Sequence, residues 1–151
     1  MTATNHALTG AAIGLIVGQP ILAIPLALVS HFILDAIPHF AFSTDGEKVL
    51  RTKLFRNYLI VEALLCFLIV CFLFASQPTN WLLAAICAFV AASPDFLHIN
   101  KYIKKVRGQE WKQGWFSKFA VGIQWFQRPI GGVVEVAWCI AMIVIIAQSV
   151  A

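Results

Sequence analysis

A chain of 151 residues that is 60% hydrophobic and 12% charged, with a mean hydropathy of +0.83, is not an ordinary water-soluble domain, in which about 25% of residues are charged. So short a chain has too little interior to hide that much apolar surface, and lipid is its expected solvent. The net charge of +4 would point to nucleic acid in a soluble protein. Here every Lys and Arg falls in two segments between apolar runs, the pattern of positive-inside loops attracted to anionic head groups, so no nucleic-acid partner is expected.

One integral membrane domain over 1–151 is expected from the length. The first apolar stretch runs from about Ala7 to Val17 and is closed by Gln19-Pro20. At 1.5 Å per residue it covers about half of a ~30 Å hydrocarbon core, which predicts a half-helix or a tightly packed inner helix. Gly10 and Gly14 form a small-xxx-small face for close helix contact. The second stretch runs from Ile21 to about Ile37, with Pro20 suited to a first turn, Pro25 implying a kink and Pro38 a stop. The third, from about Tyr58 to Ala75, reads as a transmembrane helix, followed by a polar turn over 77–80.

The fourth stretch runs from Trp81 to about Ile99 with an interruption at Ser93-Pro94, and the fifth from Pro129 to about Ala147. Between them, Trp111, Trp115, Phe119, Ile123 and Phe126 form a helical stripe, with Lys112, Gln113, Lys118 and Gln124 largely off it. Residues 109–127 therefore read as an amphipathic helix lying in the interface, or else as a helix packed on the bundle. The expected fold is all-α: a polytopic membrane bundle of about five membrane-embedded helices, the first short, plus one interfacial amphipathic helix. Cys66, Cys71, Cys87 and Cys139 lie within apolar runs without a CxxC pair, so they read as packing residues rather than a disulfide or thiolate framework. MTATNHALTG has no basic n-region, so insertion is expected to rely on the internal apolar segments.

The basic residues orient the bundle. One segment, 43–57, carries Lys48, Arg51, Lys53 and Arg56 against Asp45 and Glu47; the other, 101–128, carries seven Lys and Arg residues against Glu110. The third and fourth helices form a hairpin through an uncharged turn, which puts both basic segments on one side, the cytoplasmic one. A hairpin at Gln19-Pro20 puts the N-terminus there as well.

Ionisable groups inside apolar helices are costly and need a reason. His31, Asp35 and His39 are spaced by four, Asp95 and His98 by three, and His6 heads the first stretch. Residues at i and i+4 or i+3 share a helix face. By the topology above, all six groups fall at similar depth near the cytoplasmic surface. Imidazole and carboxylate suit zinc, iron or manganese, and the set could hold one ion with supporting groups or two ions sharing a carboxylate. The competing reading is a set of interfacial or capping histidines with a helical His-Asp hydrogen bond. Glu62 and Glu135 are further buried candidates, as ligands, a general base, or counter-charges of Arg56 and Arg128; the last is expected.

The segments TNHALTG, HFILDAIPH and SPDFLH resemble the small bacterial inner-membrane proteins of the YdjM/YbcI type, a family of membrane-bound metal-dependent hydrolases with a phospholipase C-like relationship. His6 matches the family's Thr-His-Ala type start, Pro94-Asp95 its Pro-Asp motif, and His31 with Asp35 its His-x-Leu-Leu-Asp motif. HFILDAIPHF is also similar to the His-x3-Asp pattern of zinc-dependent phospholipase C.

The resemblance implies an inner-membrane hydrolase acting on a phosphoester, in a lipid or lipid-linked molecule. It implies a divalent metal, zinc first, as one or two ions. His6, His31, His39 and His98 would be ligands, and Asp35 and Asp95 would bridge or accept protons as the catalytic carboxylates. The rival is a non-enzymatic membrane protein: a metal carrier, a sensor, or a bundle braced by its His/Asp cluster. Residues 69–75 and 141–147 are wholly apolar, which argues against a path through the bilayer and for a one-sided site.

Overall fold

Helix α1, Ala3–Val17, is the axis around which the other elements pack. The Thr2 hydroxyl accepts the Asn5 N–H at 3.3 Å and caps its first turn. Gly18, at φ 66°, ends it in the left-handed conformation that favours glycine. Ten of its fifteen residues are buried, most of them small or polar. Gly10 and Gly14 face a second helix so closely that an added Cβ would lie 2.2 Å from the Cys87 carbonyl oxygen and 2.4 Å from the Ala84 Cα. Those contacts belong to Trp81–Val106, numbered α4 below, which answers with Ala84, Ala88, Ala91 and Ala92. Two small-residue faces thus meet backbone to backbone, as the Gly10/Gly14 spacing predicts.

The computed structural model describes residues 1–40, 49–112 and 114–150, leaving aside the side chains at positions 97, 98, 101 and 105. The expected roles of Asp45, Glu47, Lys48 and Gln113, and of the His98 side chain, fall outside the described residues. Helix α2, Pro20–Ala36, starts on a proline and carries Pro25 inside it. Its Ala23 and Ala27 pack against α4 beside Cys87 and Ala91. Helix α3, Lys53–Ser76, is capped by Thr52, whose hydroxyl accepts the Phe55 N–H at 3.1 Å. A turn with Gln77 and Asn80 at positive φ leads into α4. Two further helices follow: α5, Trp115–Ile123, and α6, Gly131–Val150. Helices α3 and α6 each pack on α1, and α5 rests on α2.

The expected all-helical architecture holds, and no strand occurs among the described residues. Two helices, α3 and α6, are long and apolar enough to cross a membrane; α1, α2 and the apolar part of α4, Trp81–Phe96, are shorter. Only 6% of the most apolar window of α3 is buried, whereas the core helix of a soluble protein turns its apolar side chains inward. Leu64, Phe67, Leu68, Phe72 and Phe74 all point outward.

Two expectations change. Ser93-Pro94 does not interrupt α4, which runs on to Val106. Pro94 offers no N–H to the Val90 carbonyl, but the Ser93 hydroxyl donates to that oxygen at 2.8 Å, so the helix continues. The amphipathic helix covers nine residues rather than 109–127. Gly114 caps its start and Gly122 lies in its last turn, and glycine is a weak helix former. Trp111 is left outside it, and Phe116 and Phe119 pack edge-on or tilted against Phe32 of α2, with centroids 6.1 and 5.7 Å apart.

Candidate metal centre

Three helices deliver ionisable side chains to one point. Helix α2 brings His31 and Asp35 to the same face through their i, i+4 spacing, with His31 Nε2 3.4 Å from Asp35 Oδ2. Helix α1 brings His6, whose Nε2 lies 3.2 Å from Asp35 Oδ1 and whose ring stacks on His31 with centroids 4.0 Å apart. Helix α4 brings Asp95, its Oδ1 4.0 Å from His31 Nε2. One ligand atom each from His6, His31 and Asp95 lie within 4.8 Å of one another. Ligands around a tetrahedral zinc lie about 3.3 Å apart, so side-chain movements of about 1 Å would close this set on an ion.

The protonation pattern explains why a cation suits this point. His31 Nδ1 lies 2.8 Å from the Ala91 carbonyl oxygen. A carbonyl only accepts, so Nδ1 carries the hydrogen, and Nε2 is the ring nitrogen turned toward the carboxylates. That nitrogen faces oxygens of two carboxylates. A ring nitrogen set against two carboxylates is satisfied by a proton or by a metal ion between them. His6 tells the same story from the other side. Its Nε2–H donates to Asp35, which leaves Nδ1 as an acceptor, and Nδ1 is buried without a hydrogen-bond partner among the described residues, in a side chain that is 0% exposed. An Asp-His pair whose second nitrogen is free is the usual way a protein orients an imidazole toward a metal.

Asp35 is the most heavily bonded group here. It receives the His6 ring N–H, the Met1 amino group and, at 2.9 Å, the Gln124 side-chain amide. Gln124 is itself held by Gln127 at 2.8 Å, and the neighbouring Trp125 donates its ring N–H to the Ala36 carbonyl at the end of α2. The pattern reading put Gln124 on the polar side of an interfacial helix. The helix instead stops at Ile123, and Gln124 turns inward. Gly122, just before it, was the one local signal for that stop.

The six expected groups divide. His6, His31, Asp35 and Asp95 converge. His39 does not join the group of ligand atoms: its Nδ1–H donates to the Ile37 carbonyl at 2.9 Å. Its backbone pairs with the segment before α6, accepting from Arg128 N–H at 3.1 Å and donating to Phe126 O at 3.4 Å. Gly131 packs on that backbone so tightly that a Cβ would come within 2.3 Å of the His39 carbonyl. Burial holds the His39 imidazole below its ordinary pKa, and it is neutral at pH 7. With Pro38 next in line, α2 ends at Ala36, three residues before His39, so the His31/Asp35 face does not include it. The His98 side chain is outside the described residues.

Glu62 and Glu135 also depart from expectation, since neither is ion-paired with Arg56 or Arg128 among the described residues. Glu62 Oε2 accepts the Thr4 backbone N–H and hydroxyl at 2.9 and 2.8 Å, satisfying an orphan donor at the positive end of α1. Glu135 Oε1 accepts the Phe40 N–H at 3.3 Å. Sequence spacing carries no trace of either partner, because both are long-range.

No protein-family model, no curated protein and no solved structure matches the chain. The family resemblance therefore stands on its three short motifs alone.

Proposed function

We propose that this is a multi-pass inner-membrane protein that binds a divalent metal ion, zinc first, through His6, His31 and Asp95 at the cytoplasmic end of the bundle. Its function in this reading is metal-dependent hydrolysis of a phosphoester in a lipid or lipid-linked substrate. The observation that carries the metal reading is the convergence of one ligand atom each from His6, His31 and Asp95 within 4.8 Å, with His31 Nε2 turned toward two carboxylates. The hydrolytic half is supported by the motif resemblance and by the kind of groups present. A bound divalent ion would lower the pKa of water toward neutrality. Asp35 would orient His6, and the carboxylate not holding the ion would accept a proton. The membrane reading is supported by α3 and α6 and by the confinement of Lys and Arg to two segments.

A second reading is favoured by one observation: Asp35 already collects donors from α1, from the chain's first residue and from the segment after α5. On that reading the cluster only braces the helices. Metal analysis of the purified protein, made without chelator and again after zinc reconstitution, separates the two. The proposal expects about one zinc per chain, lost on Asp95→Ala, and phosphodiesterase activity that disappears with the metal. A wild-type protein that takes up no zinc, nickel, iron or manganese, yet stays folded in chelator, would leave only the bracing role.

A further inference from the structure

We infer that the chain holds a second, metal-independent site: a groove between α3 and α6 that takes a membrane amphiphile with a primary-amine head group. Its polar end is a cavity of about 340 Å³ to which Glu62, Glu135, Asn5 and Tyr58 contribute. No basic side chain lines it among the described residues. Asn5 is 3% exposed, its amide nitrogen donates to the Glu135 carbonyl at 3.1 Å, and its Oδ1 is buried without a partner among the described residues. Two carboxylates and an unanswered amide oxygen make a set of acceptors, and what such a set requires is a cation rich in N–H donors. A primary ammonium carries three.

The apolar end adjoins it. A second cavity of about 380 Å³ shares Thr4, Leu65 and Cys139 with the first. It is walled by Leu68, Ile69 and Phe72 of α3 and by Ile143 and Ile146 of α6, over the α1 floor at Leu8. Leu68, Phe72 and Ile143 are each at least half exposed, so the groove opens sideways to the surroundings, where an acyl chain can enter from lipid. A carboxylate-lined head pocket continuous with an apolar trough fits an aminolipid better than a free ion, which would use only the first half. Neither glutamate belongs to the His6/His31/Asp95 group, so this site does not depend on the metal reading. It rests only on α3 and α6 facing lipid.

The test uses the full chain in detergent micelles and titrates dodecylamine, dodecyltrimethylammonium and ethylamine, followed by native mass spectrometry. Dodecylamine should bind about tenfold tighter than its trimethylated counterpart, which has no N–H to donate. Ethylamine, which lacks the tail, should bind at least about a hundredfold more weakly. Glu62→Gln and Glu135→Gln should each weaken dodecylamine about tenfold, and Ile69→Trp should block it by filling the trough. Should a glutamine variant fail to fold, the head-group comparison on the wild-type protein decides alone. Equal binding of the two dodecyl probes overturns the proposal, as does displacement of dodecylamine by calcium or magnesium alone, which would make this a free-cation site. Loss of dodecylamine binding in a folded Asp95→Ala variant would merge the two sites and overturn it as well.

Discussion

Helices α1 and α3 are both strongly apolar, yet they are built in opposite senses. Helix α1 has 15 residues and buries ten; α3 has 24 and buries one, Leu73. The inner helix carries the small and polar side chains, Asn5, His6, Thr9, Gly10 and Gly14, and the outer one carries the large apolar ones. In water the large side chains would go inside. In lipid, hydrocarbon outside is as good a solvent as hydrocarbon inside, so helices associate through close backbone approach and polar contacts instead. The difference teaches where chemistry can reside in such a bundle. The polar groups of the other helices meet those of the inner one: Glu62 reaches Thr4, and Asp35 reaches His6.

That comparison predicts an ordered set of outcomes. The largest effect belongs to Gly10→Leu. Any Cβ there meets the backbone of α4 at Cys87, so the variant should fail to give a folded, monodisperse species in detergent. Phe67→Ala on the outward face of α3 should change stability by no more than about 0.5 kcal/mol. A Gly10→Leu protein with wild-type melting behaviour would break the comparison.

Next is His31→Ala, which removes both the ring nitrogen aimed at Asp35 and Asp95 and the bond to Ala91 O. Metal analysis should show bound zinc falling from about one per chain to background. Its stability in chelator should be close to that of the wild-type protein in chelator; a large further drop would assign His31 to bracing.

A smaller effect is expected for Gln124→Ala. It deletes one hydrogen bond to a buried carboxylate and should cost about 1–2 kcal/mol, read as a shift in the thermal midpoint with the metal content retained. The smallest is a pH effect at His39. Its pKa is depressed in the fold by burial, so the folded state resists the proton that the unfolded chain accepts. Stability from this group is present above the ordinary value of 6.5 and falls as the pH drops below it. Thermal scans from neutral to mildly acidic pH should slope more steeply for the wild type than for His39→Gln. Equal slopes would remove His39 as the cause.

Much of this was legible in the residues. The i, i+4 spacing of His31 and Asp35 survives intact because a helix preserves it. The Gly10/Gly14 face meets small residues because nothing larger fits. The stop at Pro38 was legible too, with His39 just past the helix, but which backbone His39 would pair with there was not. Gln124 was missed because a regular helical stripe gives no warning of where the helix will stop.

By itself the sequence determined the helices and the polar residues that had to find company, because these follow from period and the cost of an ionisable group among apolar ones. The tertiary structure alone decided which partners they found. Asp95 came to His31, Gln124 to Asp35, Glu62 to the first turn of α1 rather than to Arg56, and Asn5 Oδ1 to none among the described residues. Such pairings depend on how helices distant in sequence cross. That is set by backbone contact at Gly10 and Gly14, whose effect no local pattern records.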